Sequence, residues 1–147
     1  MRKLAFHLVL VSLAVGGVAA AADALVVTDR ERLETFAEDV SGELTPERID
    51  RALAYFDPDR QPVEVITPER RERFDEGEGA ELAAQVRQAL APYGAREATL
   101  LQRAIEERGA DDARVALRLR TPEGVVDATF DLRKHGERWF VRRARLR

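Results

Sequence analysis

The last third of the chain leaves little freedom of fold, because apolar and polar residues alternate one for one along it. Val115, Leu117 and Leu119 stand between Arg114, Ala116, Arg118 and Arg120, and Val126, Ala128, Phe130 and Leu132 alternate with Asp127, Thr129, Asp131 and Arg133. A period of two puts all the apolar side chains on one face of a strand, so the segment predicts a sheet with one buried face. With Thr121-Pro122-Glu123-Gly124 as the loop, Arg120 pairs with Val125, Arg118 with Asp127 and Arg114 with Asp131. Opposite charges directly across an antiparallel pair are worth about 0.2–1 kcal/mol each, so charge and hydropathy agree on one register. A two-residue turn at His135-Gly136 then pairs Lys134 with Glu137 and Leu132 with Trp139.

A sheet buried on one face needs a cover, and the preceding residues supply helices. Thr28-Asp29-Arg30-Glu31 is a capping box, followed at helical spacing by Leu33, Phe36, Ala37 and Val40 and stopped by Ser41-Gly42. Thr45-Pro46 starts a second helix with the stripe Ile49, Ala52, Leu53 and Phe56, ended by Asp57-Pro58. Both stripes read as core faces. Pro62 to Asp75 fits a short hairpin or a helical turn, and Glu76-Gly77-Glu78-Gly79 is a flexible joint. Ala80 to Ala91 is a third helix, with Leu82, Val86 and Leu90 on one stripe that Tyr93 continues past Pro92. Glu97 to Arg108 has helix propensity, but the Gly109-Ala110-Asp111-Asp112 turn also makes it the first arm of a hairpin.

The run Asp112 to Val115, then Val126 to Leu132, then His135-Gly136-Glu137-Arg138-Trp139-Phe140-Val141 resembles the end of nuclear transport factor two-like (cystatin-like) domains. The resemblance covers residues 112–147 well and the helices in order and length. It implies an α+β fold, with N-terminal helices on the concave face of a curved C-terminal antiparallel sheet of three to four strands enclosing a cone. It also implies that Glu97 to Arg108 is a strand. The superfamily holds ketosteroid isomerase-like enzymes and non-catalytic binding modules alike, so it does not decide function.

At the N-terminus Arg2 and Lys3 precede the apolar run Leu4 to Val15, and small residues continue to Ala22. This is the pattern of a secretory signal peptide, with cleavage expected after Ala22; cleavage after Ala24 also satisfies the small-x-small rule. A periplasmic or secreted domain of residues 23–147 follows. Leu4 to Ala22, 19 residues, would act as a membrane anchor only if uncleaved. The chain has no cysteine, which excludes a disulfide framework, a thiol nucleophile and a thiolate metal site. Charge divides along the chain: residues 23–112 hold 12 arginines against 23 acids, and residues 113–147 hold 10 basic residues against 4 acids. The basic strands either bind anions or pack against the acidic helices. Nucleic acid is a poor partner for an exported acidic domain.

Chemistry-bearing residues are few. Beyond residue 22, Ser41 and His135 are the only serine and histidine, one at a helix end and one at a turn. Asp57-Pro58-Asp59-Arg60-Gln61 begins like a calcium loop, but Pro62 stands where that loop needs glycine. No metal site and no cofactor are expected. Tyr55 and Tyr93 are available as hydrogen-bond donors, whereas the isomerase carboxylate has no counterpart, since Asp127 and Asp131 alternate away from the apolar face. In the expected register Phe130, Trp139, Arg143 and Arg145 share the apolar face, and two arginines at the mouth of a cone would suit an anionic ligand. Carboxylates of the helices are alternative partners for them, and a bulge would turn Ala144 and Leu146 inward instead. The expectation is an exported, non-catalytic domain that binds a small ligand or a protein partner through cone or sheet, with Phe130, Trp139, Arg143, Arg145, Tyr55 and Tyr93 as candidate ligand contacts. The alternative is a cavity enzyme of isomerase or hydratase type. Dimerisation through the outer sheet face, where Phe140 lies beside Arg142, is a further possibility.

Overall fold

The computed structural model describes residues 27–93 and 96–147; the expected signal segment and its cleavage at Ala22 lie outside them. Helix α1 (Asp29–Asp39) begins at the capping box, in which the Thr28 hydroxyl accepts from Glu31 N–H and the Glu31 carboxylate accepts from Thr28 N–H. After a two-residue strand β1 (Gly42–Glu43) comes α2 (Pro46–Leu53), capped by the Thr45 hydroxyl with proline at its start. The residues that fit either a hairpin or a turn by sequence form the hairpin: β2 (Val63–Ile66) and β3 (Arg71–Phe74), Val63 opposite Phe74. Helix α3 (Gly79–Leu90) and a short 3₁₀ turn (Ala91–Tyr93) lead into four long strands, β4 (Glu97–Glu107), β5 (Asp112–Thr121), β6 (Gly124–His135) and β7 (Arg138–Leu146).

The seven strands make one curved sheet in the order β1-β4-β5-β6-β7-β2-β3, antiparallel except where β2 runs parallel to β7. Glu97–Glu107 is a strand despite its propensity, because a sheet edge offers its backbone groups partners on β5. The β5–β6 register is the one that charge and hydropathy predict, with Arg120, Arg118 and Arg114 opposite Val125, Asp127 and Asp131. Thr121 itself pairs with Gly124, which shortens that loop to Pro122-Glu123.

The β6–β7 connection differs from the expected one. Its two central residues are Gly136 and Glu137, so that His135 pairs with Arg138, Lys134 with Trp139 and Leu132 with Val141. Gly136 has φ +62°, and a two-residue hairpin turn needs positive φ at its first central position, which glycine meets without strain. A bulge then leaves Arg142 unpaired, and beyond it Asp131 faces Arg143, Phe130 faces Ala144 and Ala128 faces Leu146. A second bulge at Leu101 interrupts the β4–β5 ladder. Each inserts one extra residue, bends its strand and helps to curl the sheet.

The main core lies between α1 and the concave face. Phe36 is fully buried and meets Tyr55 and Phe130 edge-on, with ring centroids 5.0 and 5.2 Å away. Leu33, Val115, Leu132, Val141 and Trp139 close around it. A smaller cluster of Val63, Phe74 and Leu82 ties the hairpin to α3. Phe140 is buried on the opposite face, where the guanidinium groups of Arg60 and Arg138 lie 4.9 and 5.1 Å from its ring centre.

Candidate cavity and its lining

The two core clusters meet at the half-buried Phe56. Between them lies a cleft of about 650 Å³, with α2 and α3 on one side and the concave face of β5, β6 and β7 on the other. The α2 stripe, expected as a core face, is a cavity wall: Ile49, Ala52, Leu53 and Phe56 all line it and none is fully buried. The cause lies in α3. Only Leu82 of that helix reaches a core cluster, while Val86, Ala89 and Leu90 face the cleft.

The lining is apolar apart from a few charged and polar groups, and most of those have partners. Asp39 accepts from the Tyr55 hydroxyl at 2.9 Å and from Arg51 Nε at 3.2 Å. Glu123 accepts from the Tyr93 hydroxyl at 2.7 Å, and Glu72 pairs with Arg70 at 3.1 Å. Arg48 donates to the carbonyls of Glu38 and Ser41 at 2.6 and 2.7 Å, which satisfies the C-terminal end of α1. Burial, and secondly the bond to Asp39, push the Tyr55 phenol well above its ordinary pKa. Its O–H therefore stays protonated and committed to that carboxylate.

Of the six candidate contacts, Phe130 and Tyr93 line the cleft. The other four do not. Tyr55 and Trp139 belong to the main core, Tyr55 accepting from Val141 N–H through its carbonyl. Arg143 and Arg145 are on the convex face because the Arg142 bulge reverses the alternation, leaving Ala144 and Leu146 in the cleft. Arg143 Nε donates to Glu64 Oε2 at 2.6 Å and holds that carboxyl below its usual range. An anion site built on these two arginines inside the cone is thus ruled out by their direction.

The acids with displaced pKa values, Asp29, Glu31, Glu64, Glu106 and Asp112, are all lowered, and all lie outside the cleft. Among the described residues no group of three or more His, Asp or Glu side chains is placed to hold a metal ion, and no helix is long and apolar enough to cross a membrane.

No protein-family model matches the sequence, and no curated protein matches it significantly. Solved structures do match the fold. A protein of unknown function with a cystatin-like fold from Nostoc punctiforme is 16% identical, covers 83% of this chain and 92% of its own, and superposes with a TM-score of 0.62. An NTF2-like protein of unknown function from Pseudomonas putida is 15% identical, with coverage of 88% and 86% and a TM-score of 0.58. Another from Pseudomonas aeruginosa is 17% identical, with coverage of 80% and 94% and a TM-score of 0.54. The helices on the concave face, the four-strand meander and the cleft they leave agree with these likenesses: the chain has the nuclear transport factor two-like, cystatin-like α+β fold.

Proposed function

We propose that the chain is an exported, non-catalytic domain that binds a small, predominantly apolar ligand in the cleft between α2, α3 and the sheet. The observation that carries this reading is the cleft itself, about 650 Å³ with apolar walls from three elements, inside the size range of cofactor and drug-sized sites. A folded chain gains by burying apolar surface, and here two amphipathic helices turn theirs towards the cleft. An occupant without a charged group in its body fits that wall, since none of the charged lining residues Asp39, Arg48, Arg70, Glu72, Glu97 and Glu123 belongs to the apolar stripes of α2 and α3.

An isomerase or hydratase would need a carboxylate free to take a proton and a phenol free to donate to the developing oxyanion. Both tyrosines near the cleft instead give their only O–H to a carboxylate, Tyr55 to Asp39 and Tyr93 to Glu123. That arrangement favours binding over chemistry.

Titration with the neutral fluorescent probe N-phenyl-1-naphthylamine tests the reading. Saturable binding of one probe per chain is expected, and Ala52→Trp should abolish it by filling the cleft while the circular dichroism spectrum is kept. Absence of saturable binding by the unaltered chain would reject it. Export is tested separately, by N-terminal sequencing of the protein recovered outside the cytoplasm; a chain starting at Asp23 supports the proposal and one starting at Met1 opposes it.

A further inference from the structure

Contacts near both of its ends hold helix α3 to the rest of the molecule. At its N-terminal end Leu82 packs on Val63 and Phe74, and the preceding joint is pinned where Gly77 N–H donates to Asp59 at 2.7 Å. In its last turns Arg87 Nη2 meets Asp50 of α2 at 2.8 Å. Just beyond it the Tyr93 hydroxyl donates to Glu123, at the tip of the β5–β6 hairpin and 30 residues further along the chain. Between the first anchor and the last, the inward side chains Val86, Ala89 and Leu90 rest against no sheet residue of either buried core cluster; they face the cleft.

The two ends are therefore unequal. The N-terminal anchor is buried and apolar, with Leu82 2% exposed, so opening it exposes hydrophobic surface to water. The C-terminal anchors are polar and solvent-exposed, and such contacts break and reform readily.

We infer that α3 is a latched cover of the cleft: its C-terminal half swings about the Leu82 anchor, and the Tyr93–Glu123 and Arg87–Asp50 contacts hold it shut. The inference rests on the ligand-binding reading above and adds how the ligand enters. A cover acts on both directions of exchange. Releasing the latch raises the rates of entry and exit together and leaves the equilibrium affinity comparatively unchanged. An ordinary wall contact behaves otherwise, since removing it raises the exit rate alone.

Stopped-flow mixing with N-phenyl-1-naphthylamine on the full domain separates the two. Arg87→Ala and Asp50→Ala, both outside the cleft lining, are each expected to raise association and dissociation rates several-fold with little change in affinity, and Tyr93→Phe to raise the association rate. The double variant Arg87→Ala/Asp50→Ala should do no more than either single one, because both remove the same contact. Unchanged association rates, or a rise in dissociation alone, would overturn the cover. Amide hydrogen exchange of the unliganded variants gives a readout that needs no ligand. Faster exchange confined to residues 83–93 is expected, whereas unchanged exchange there rejects the latch. If the unaltered chain takes up no probe but the variants show that exchange, the binding reading has failed and the mobile helix has not.

Discussion

Arg143 Nε lies 2.6 Å from Glu64 Oε2, and this ion pair joins the parallel strands β7 and β2 on the convex face. It is one link in a row. Residues in register across six neighbouring strands alternate in sign from Glu106 through Arg114, Asp131, Arg143 and Glu64 to Arg73. Arg114 Nε meets Asp131 Oδ1 at 2.7 Å, and Arg71 adds a second guanidinium to Glu64 at 3.1 Å. The charge division along the chain is therefore resolved partly within the sheet. It is also resolved against the helices, through Lys134–Asp29.

Asp131 is the most buried member of that row, 6% exposed, with arginines on both sides. Removing its carboxylate leaves Arg114, only one-third exposed, facing a neighbour with no negative charge. Asp131→Ala should lower stability by about 2 kcal/mol, below the range for a fully buried pair because Arg143 keeps much of its hydration. Urea denaturation measures it, and Arg118→Ala, whose partner Asp127 is exposed, serves as the control with an expected change under about 0.5 kcal/mol.

Acid should weaken the fold through the lowered carboxyls. The Lys134 ammonium, 2.7 Å from Asp29, holds that carboxyl below its usual range, and Arg133 and Arg143 do the same for Asp112 and Glu64. A carboxyl with a depressed folded pKa contributes stability that is complete above its unfolded value of about 4 and is lost as the pH falls through the folded value. The urea midpoint should thus be level from pH 7 to about 5 and fall below about 4. Asp29→Asn should have a lower midpoint at neutral pH and a shallower fall. A midpoint independent of pH down to about 3 would show that these pairs are equally formed in the unfolded chain.

Gly42 has φ +87°, and a Cβ built there would lie 3.0 Å from Arg48 Nη1, the group that bonds the Glu38 and Ser41 carbonyls. Gly77 has the same φ and open space around it. Gly77→Ala should cost about 1 kcal/mol from backbone strain alone, and Gly42→Ala more, because the arginine must also leave its two acceptors. Thermal denaturation of both variants checks the order; equal decreases would mean that Arg48 yields freely.

How much of the fold is legible in the sequence depends on whether a local signal is unique. The β5–β6 register is readable because alternation and two opposite-charge pairs, Arg118–Asp127 and Arg114–Asp131, agree on it. The helix starts are readable because capping side chains act within four residues. The face of Arg143 and Arg145 is not, since a single unpaired residue at Arg142 reverses every later side chain, and nothing in Val141-Arg142-Arg143 marks where the bulge falls. Of the cleft, Phe130 and Tyr93 are anticipated by the sequence, but the walls on α2 and on the β2–β3 hairpin are not. A helical stripe of apolar residues records that one face avoids water; it does not record whether protein or a ligand covers that face.

That ambiguity can be measured. Phe36 and Ile49 both belong to the apolar stripe of their helix, yet Phe36 is fully buried against Tyr55 and Phe130 while Ile49 is half-buried on the cleft wall. Phe36→Ala opens a cavity in a closed core and should cost about 3–5 kcal/mol. Ile49→Ala enlarges a space that already exists and removes few packed neighbours, so about 1 kcal/mol or less is expected in the unliganded chain. With a saturating apolar probe bound, the Ile49→Ala deficit should grow, because the shortened side chain no longer touches the probe and binding then stabilises the folded state less. Urea denaturation of the two variants with and without N-phenyl-1-naphthylamine reads both effects. A decrease of several kcal/mol for Ile49→Ala without probe would mean that α2 closes onto the sheet in solution and the cleft is filled by the protein itself.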